Sequence, residues 1–138
     1  MREYLYRQEQ GLHIVLVAEC CGEPAGYLLI RSHALEGPFA GKDIPELADF
    51  NVLQKYQRRG IGRALLDKAE QMCQAAGRVS LAVGLHSGYG RAQRLYVQRG
   101  YLPDGSGVWY RGKNLEEYAV CCNDDDLVLY MSKNLGKE

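Results

Sequence analysis

The sequence predicts one α/β domain on a mixed sheet, spanning residues 1–138, and three observations carry this. Short apolar segments of strand length recur along the chain. Two longer segments repeat their apolar residues at helical spacing. The order is strands, helix, strand, helix, strands, which describes helices laid on a sheet that contains parallel strands. The length suits a single domain, and an apolar content of 46% supplies its core.

Each element has its own signal. Residues 1–10 are polar and aromatic and read as the last turns of a helix. Residues 12–19 are rich in Val, Ile and Leu and read as a strand. Cys21-Gly22-Glu23-Pro24 is turn chemistry, so residues 25–32 form a second strand and complete an antiparallel hairpin. A loop around Gly37-Pro38 leads to a third strand over 44–53, with Pro45 near its start, where a proline is tolerated. Over 60–76, Ile61, Leu65, Ala69, Met72 and Ala76 share one helical face, widened by Leu66 and Cys73. Gly77 suits the C-terminal end of that helix. Residues 79–84 are continuously apolar, as expected of a strand covered on both faces. Strand, helix and strand in series imply a right-handed parallel crossover. A second helix over 91–99 groups Ala92, Leu95 and Tyr96 and stops at Gly100. Residues 103–107 read as a loop, 108–111 as a strand, 114–125 as irregular or partly helical, and 127–131 as the last strand.

Composition excludes several classes of partner. Seventeen basic and seventeen acidic residues cancel. With no Lys/Arg run and no basic tail, no nucleic-acid partner is expected. The apolar run at 12–18 is too short to span a membrane. It also lacks the flank and cleavage site of a signal peptide, so a cytoplasmic protein with no membrane partner is expected. Five cysteines, two pairs of them adjacent, show no metal-ligand spacing and read as free thiols. No metal is expected.

The most informative stretch is Gln57-Arg58-Arg59-Gly60-Ile61-Gly62-Arg63. It lies between a strand and the start of the longer helix. The first amides of a helix have no intrahelical partner, and the aligned peptide dipoles add partial positive charge there. Gly60 and Gly62 let an anion approach the backbone, and Arg58, Arg59 and Arg63 add charge. A phosphate-bearing ligand fits this arrangement. The Gly-Lys-Ser/Thr ending of a Walker loop is absent, and the glycine register differs from the dinucleotide fingerprint.

The spacing Gln-x-x-Gly-x-Gly resembles the acyl-CoA pyrophosphate loop of the GNAT (GCN5-related) N-acetyltransferases. Two further signatures agree: Asp49-Phe50-Asn51-Val52-Leu53 before the loop, and Ala92-Gln93-Arg94-Leu95-Tyr96 through Arg99-Gly100-Tyr101 after it. The resemblance implies the GNAT fold, a mixed, mostly antiparallel twisted sheet with helices on both faces. It also implies acetyl-CoA as acyl donor and an amine as acceptor, joined in a ternary complex by direct attack. Pantetheine would lie along Val52 and Leu53, and the pyrophosphate on the amides from Arg58 through Arg59, Gly60 and Ile61 to Gly62. Tyr96 matches the tyrosine that protonates the departing thiolate, or is a core tyrosine. Glu46, eleven residues before Gln57, matches a glutamate base, or is a strand-entry residue facing solvent. Strand alternation points Asp49 away from Glu46. His86 is a third candidate base.

The chain departs from the family pattern twice. Tyr89 stands where family members carry an asparagine. At the front, the first strand and the helices before the hairpin are expected to be missing or abbreviated, which leaves the acceptor side open or completed by a homodimer partner. Trp109 and Tyr110 either line an acceptor pocket or pack as strand residues. Asp124, Asp125 and Asp126 either attract a cationic amine or form a solvated turn. The alternative to an enzyme is a non-catalytic acyl-CoA-binding sensor or interaction module.

Overall fold

The computed structural model describes residues 3–10 and 13–136, with side chains over 13–136. The described strands form one eight-stranded sheet in the order β1-β2-β3-β4-β5-β8-β6-β7. In chain order the strands before the first helix are β1 (Glu3–Gln10), β2 (His13–Cys20), β3 (Glu23–Arg31) and β4 (Glu46–Val52). Helix α1 (Ile61–Met72) follows, then β5 (Arg78–Gly84) and helix α2 (Gly90–Gln98). The chain closes with β6 (Leu102–Tyr110), β7 (Lys113–Asn114) and β8 (Leu127–Asn134). Every neighbouring pair is antiparallel except β4 and β5, which run parallel.

The front of the chain corrects the sequence reading. Residues 3–10 are a strand, paired with β2 from Glu3 opposite Cys20 to Gln10 opposite His13. The first strand is therefore present, and residues 11 and 12 alone separate it from β2. No helix among the described residues precedes β2.

Alternation along the strands divides the core in two. One face carries Leu16 and Ala18 of β2, Leu28 and Ile30 of β3, Leu47 of β4 and Leu81 of β5. Ile61, Leu65, Leu66 and Ala69 of α1 cover them, joined by Tyr96 of α2 and Tyr101. The opposite face has a smaller core, in which Tyr130 of β8 meets Ala34, Phe39 and Ile44 of the loop after β3. Trp109 packs edge-on against Tyr130 with ring centroids 5.6 Å apart. The Trp109 indole N–H donates to Ser106 Oγ at 2.8 Å. Both described helices thus share one face, and a loop does on the other what a helix was expected to do.

Two features shape the sheet's centre. The parallel seam pairs only Glu46 with Ser80 and Leu47 with Leu81, and Ser80 fastens that end by donating from its amide and hydroxyl to the Pro45 carbonyl. Beyond it β4 and β5 diverge. A register shift between β3 and β4 opposite Tyr27–Leu29 accompanies a left-handed φ of 50° at Asp49. This β-bulge turns the strand locally, as bulges do. No helix of the described residues is long and apolar enough to cross a membrane.

Candidate active site

Where β4 and β5 part, two cavities of opposite charge are lined by consecutive stretches of β4, Leu47 to Asp49 in one and Phe50 to Val52 in the other. On the helix face a groove of about 680 Å³ runs past the N-termini of α1 and α2. Arg58, Arg63, Arg91 and Arg94 line it, and none of its lining residues is acidic. On the loop face a cavity of about 460 Å³ is lined by Glu36, Glu46, Asp49, Asp125 and Asp126, with Arg31 and Arg111 as its basic residues.

The groove is built around the start of α1. Gly60 takes the residue position before the helix with a left-handed φ of 82°, and no side chain caps the helix end. The amides of Ile61, Gly62 and Arg63 therefore lack both an intrahelical partner and a capping oxygen, which suits an anion. A Cβ on Gly60 would meet nothing within 4 Å, whereas one on Gly62 would come within 3.2 Å of the Phe50 ring. Gly62 thus lets the helix start sit hard against β4, and Gly60 leaves space above it. Gln57 holds the loop in place. Its side-chain amide donates to the Val52 carbonyl at 3.0 Å and accepts from Arg91 of α2.

The expected cofactor residues separate into two groups. Val52, Arg58, Gly60, Ile61, Gly62 and Arg63 line the groove. Leu53 and Arg59 do not. Leu53 is 45% exposed, and its amide is spent on the Ala25 carbonyl at 2.8 Å. Arg59 turns back over the Tyr56 ring, 5.5 Å from its centroid, with the Cys20 sulfur 4.0 Å from its guanidinium. Arg91 and Arg94 were missed in the sequence. Their signal is positional, because both stand in the first turns of a helix whose start faces that of α1.

Glu46 opens β4 and is 8% exposed. Its Oε1 accepts from Arg31 Nη1 at 2.8 Å. Burial raises the carboxyl above the usual range, the Arg31 bond and charge oppose this, and Glu36 and Asp49 add to it. Asp49 corrects the alternation argument. The bulge brings it to the same cavity as Glu46 rather than to the opposite face.

Tyr96 is buried on α2, 7% exposed. Its ring lies between Phe50 at 6.3 Å and Tyr101 at 5.7 Å, and burial pushes its phenol up to about 12. Phe50 lines the groove, and Tyr96 stands behind it. His86 is held by two bonds. Its Nδ1 accepts from the Gly88 amide at 3.0 Å, and its Nε2 lies 2.7 Å from Asp125. Asp125 and Asp126 enter the acidic cavity, while Asp124 accepts from the Tyr110 hydroxyl at 2.9 Å.

Comparison with known proteins assigns the fold and the family. Residues 1–101 match the model of the acetyltransferase (GNAT) family. No curated protein sequence matches. Among solved structures, a GNAT-family acetyltransferase from Streptococcus pneumoniae superposes with a TM-score of 0.63 at 25% identity, covering 91% of this chain and 68% of its own. A protein assigned as a streptothricin acetyltransferase from Bacillus anthracis, in complex with acetyl coenzyme A, gives 0.68 at 17% identity over 91% and 64%. The ribosomal-protein-S18-alanine N-acetyltransferase of Escherichia coli gives 0.64 at 17% over 94% and 74%. This chain therefore spans about two thirds to three quarters of the length of these neighbours. With the family model covering most of the sequence, the chain belongs to the GNAT family and is by class an acyl-CoA-dependent acetyltransferase.

Proposed function

We propose that the protein is an N-acetyltransferase that moves the acetyl group of acetyl-CoA to a primary amine of a small molecule or peptide, inside a ternary complex. One observation carries this reading: a cationic groove and an acidic cavity lie against consecutive residues of β4 where it leaves β5. The groove suits the phosphates of CoA. The cavity suits an amine that arrives as a cation. The reading carries with it a cytoplasmic protein, and a homodimer as one way to cover the face without helices.

The residues divide the work. Glu46 takes the proton from the amine. Its raised pKa makes it a stronger base than an exposed carboxylate, and Arg31 opposes its neutralisation. The freed nitrogen attacks the thioester carbonyl and a C–N bond forms; as the C–S bond breaks, the nitrogen gives up its second proton, which replaces the one that Tyr96 donates to the thiolate. The bulged backbone of β4 lies beside the developing oxyanion, and preorganised amides there lower the barrier. Tyr96 stays protonated at neutral pH. It can donate to the departing thiolate when the Phe50 ring turns aside.

Calorimetric titration with acetyl-CoA and with CoA, followed by a thiol-release screen of primary amines, tests the whole reading. Micromolar binding of both and thiol release with an amine are expected. Binding without release from any amine would indicate the sensor instead, and no binding would remove both. Tyr96→Phe should slow turnover about tenfold or more with an unchanged acetyl-CoA dissociation constant. A weakened constant would make Tyr96 a packing residue only.

A further inference from the structure

We propose that Tyr89 is the wall of the acyl slot, a specificity-determining residue that keeps the donor to short acyl chains. This rests on the acyl-CoA reading above and adds what that reading leaves open, the choice of acyl group.

Tyr89 ends the short 3-10 turn before α2 and lines the cationic groove. Its ring lies across the last residue of β5. A Cβ on Gly84 would come within 2.3 Å of it. Gly84 falls in register with Ala82, which lies on the loop face, so the ring reaches round the strand end. There it meets the His86 ring, 4.8 Å away between centroids. His86 in turn is bonded to Asp125, a lining residue of the acidic cavity. The Tyr89 phenol interacts with the same carboxylate, which is lowered by His86 and Tyr89 together.

A side chain that lines one cavity, covers the strand end and contacts the rim of the other stands between them at the end of β5. For an amine in the acidic cavity to reach it, the thioester must lie at that strand end. The acyl chain beyond the carbonyl then has the Tyr89 ring as a boundary. A small polar side chain here would leave the space open. The ring fills it, and the His86–Asp125 pair resists its displacement.

The test is calorimetric titration of the full chain with unmodified CoA and with acetyl-CoA, butyryl-CoA and hexanoyl-CoA, for the wild type and Tyr89→Ala. The wild type should bind hexanoyl-CoA at least about tenfold more weakly than acetyl-CoA, since a closed pocket discriminates by this order per methylene. Tyr89→Ala should narrow that ratio to about threefold or less. An unchanged ratio overturns the proposal, as does a wild type that binds all three alike. Failure of unmodified CoA to bind the wild type is a different result, and it defeats the acyl-CoA reading itself. Should Tyr89→Ala not fold, Asp125→Ala keeps the ring and removes its fastening. It should narrow the ratio partway, and no narrowing would count against the proposal.

Discussion

Glu46 and Glu70 are each 8% exposed, yet their carboxyls move in opposite directions. For both, burial is the largest influence and raises the pKa. Glu70 is lowered overall because three donors outweigh burial: Arg99, Lys133 at 2.8 Å and the Tyr101 hydroxyl at 2.9 Å. Arg99 also reaches Asp67 at 2.7 Å, so the cluster ties α1 to the end of α2 and to β8. Glu46 has one such partner, Arg31, and two acidic neighbours. The difference separates a carboxylate that holds elements together from one kept ready for a proton. Burial alone does not distinguish them; the number of donors does.

The largest expected effect falls on the first of the pair. Glu70→Ala takes the shared carboxylate from Arg99 and Lys133, leaves Arg99 only the more exposed Asp67, and should lower stability by about 3 kcal/mol, read by urea unfolding. Its acetyl-CoA affinity at low temperature should be unaltered. Loss of affinity with intact stability would dissolve the contrast. Glu46→Gln should do the reverse, cutting turnover about a hundredfold while unfolding at nearly the same urea concentration. Arg31→Met is subtler: with its partner gone, Glu46 is left to burial and like charge, so the acid limb of the rate profile should move to higher pH.

The smallest effect is in stability against pH. Glu70 is lowered in the fold, so its contribution is complete above the ordinary carboxylate range and lost as pH falls through its folded pKa. Glu46 is raised, so its contribution is complete below its unfolded pKa and lost as pH rises through the folded one. Melting between about pH 3 and 7 should therefore show Glu70→Ala less sensitive to acid than the wild type. Glu46→Gln should be the flatter variant at the upper end. Equal slopes in all three proteins would mean that neither carboxylate titrates differently in the fold.

Much of the architecture was legible because it repeats. The face of Ile61, Leu65 and Ala69 is a periodic signal, and α1 lies within the expected 60–76. The anion loop was legible because a glycine turn and a helix start are local. Residues 3–10 were not. Polar residues outnumber apolar ones there, and the strand is fixed by pairing with β2 rather than by its own pattern. Pro103-Asp104-Gly105-Ser106-Gly107 reads as a loop, yet it lies within β6, where the register against β8 shifts. The meeting of Glu46 with Asp49 was hidden for a similar reason. Strict alternation forbids it, and a single bulged residue permits it. Leu53 and Arg59 belong by sequence to the cofactor loop, but backbone direction and the Tyr56 ring take them out of the groove.

The two-pair seam between β4 and β5 makes the sheet a pair of leaves joined by a short spine. Local opening of a protein follows its weakest cooperative boundaries, so amide hydrogen exchange should find β4 and β5 separating at sub-global cost. An acyl-CoA whose pantetheine lay between the leaves would act as a missing strand, and ligand binding stabilises whichever state it requires. Protection factors along both strands would then rise together on binding, including at residues the ligand never touches.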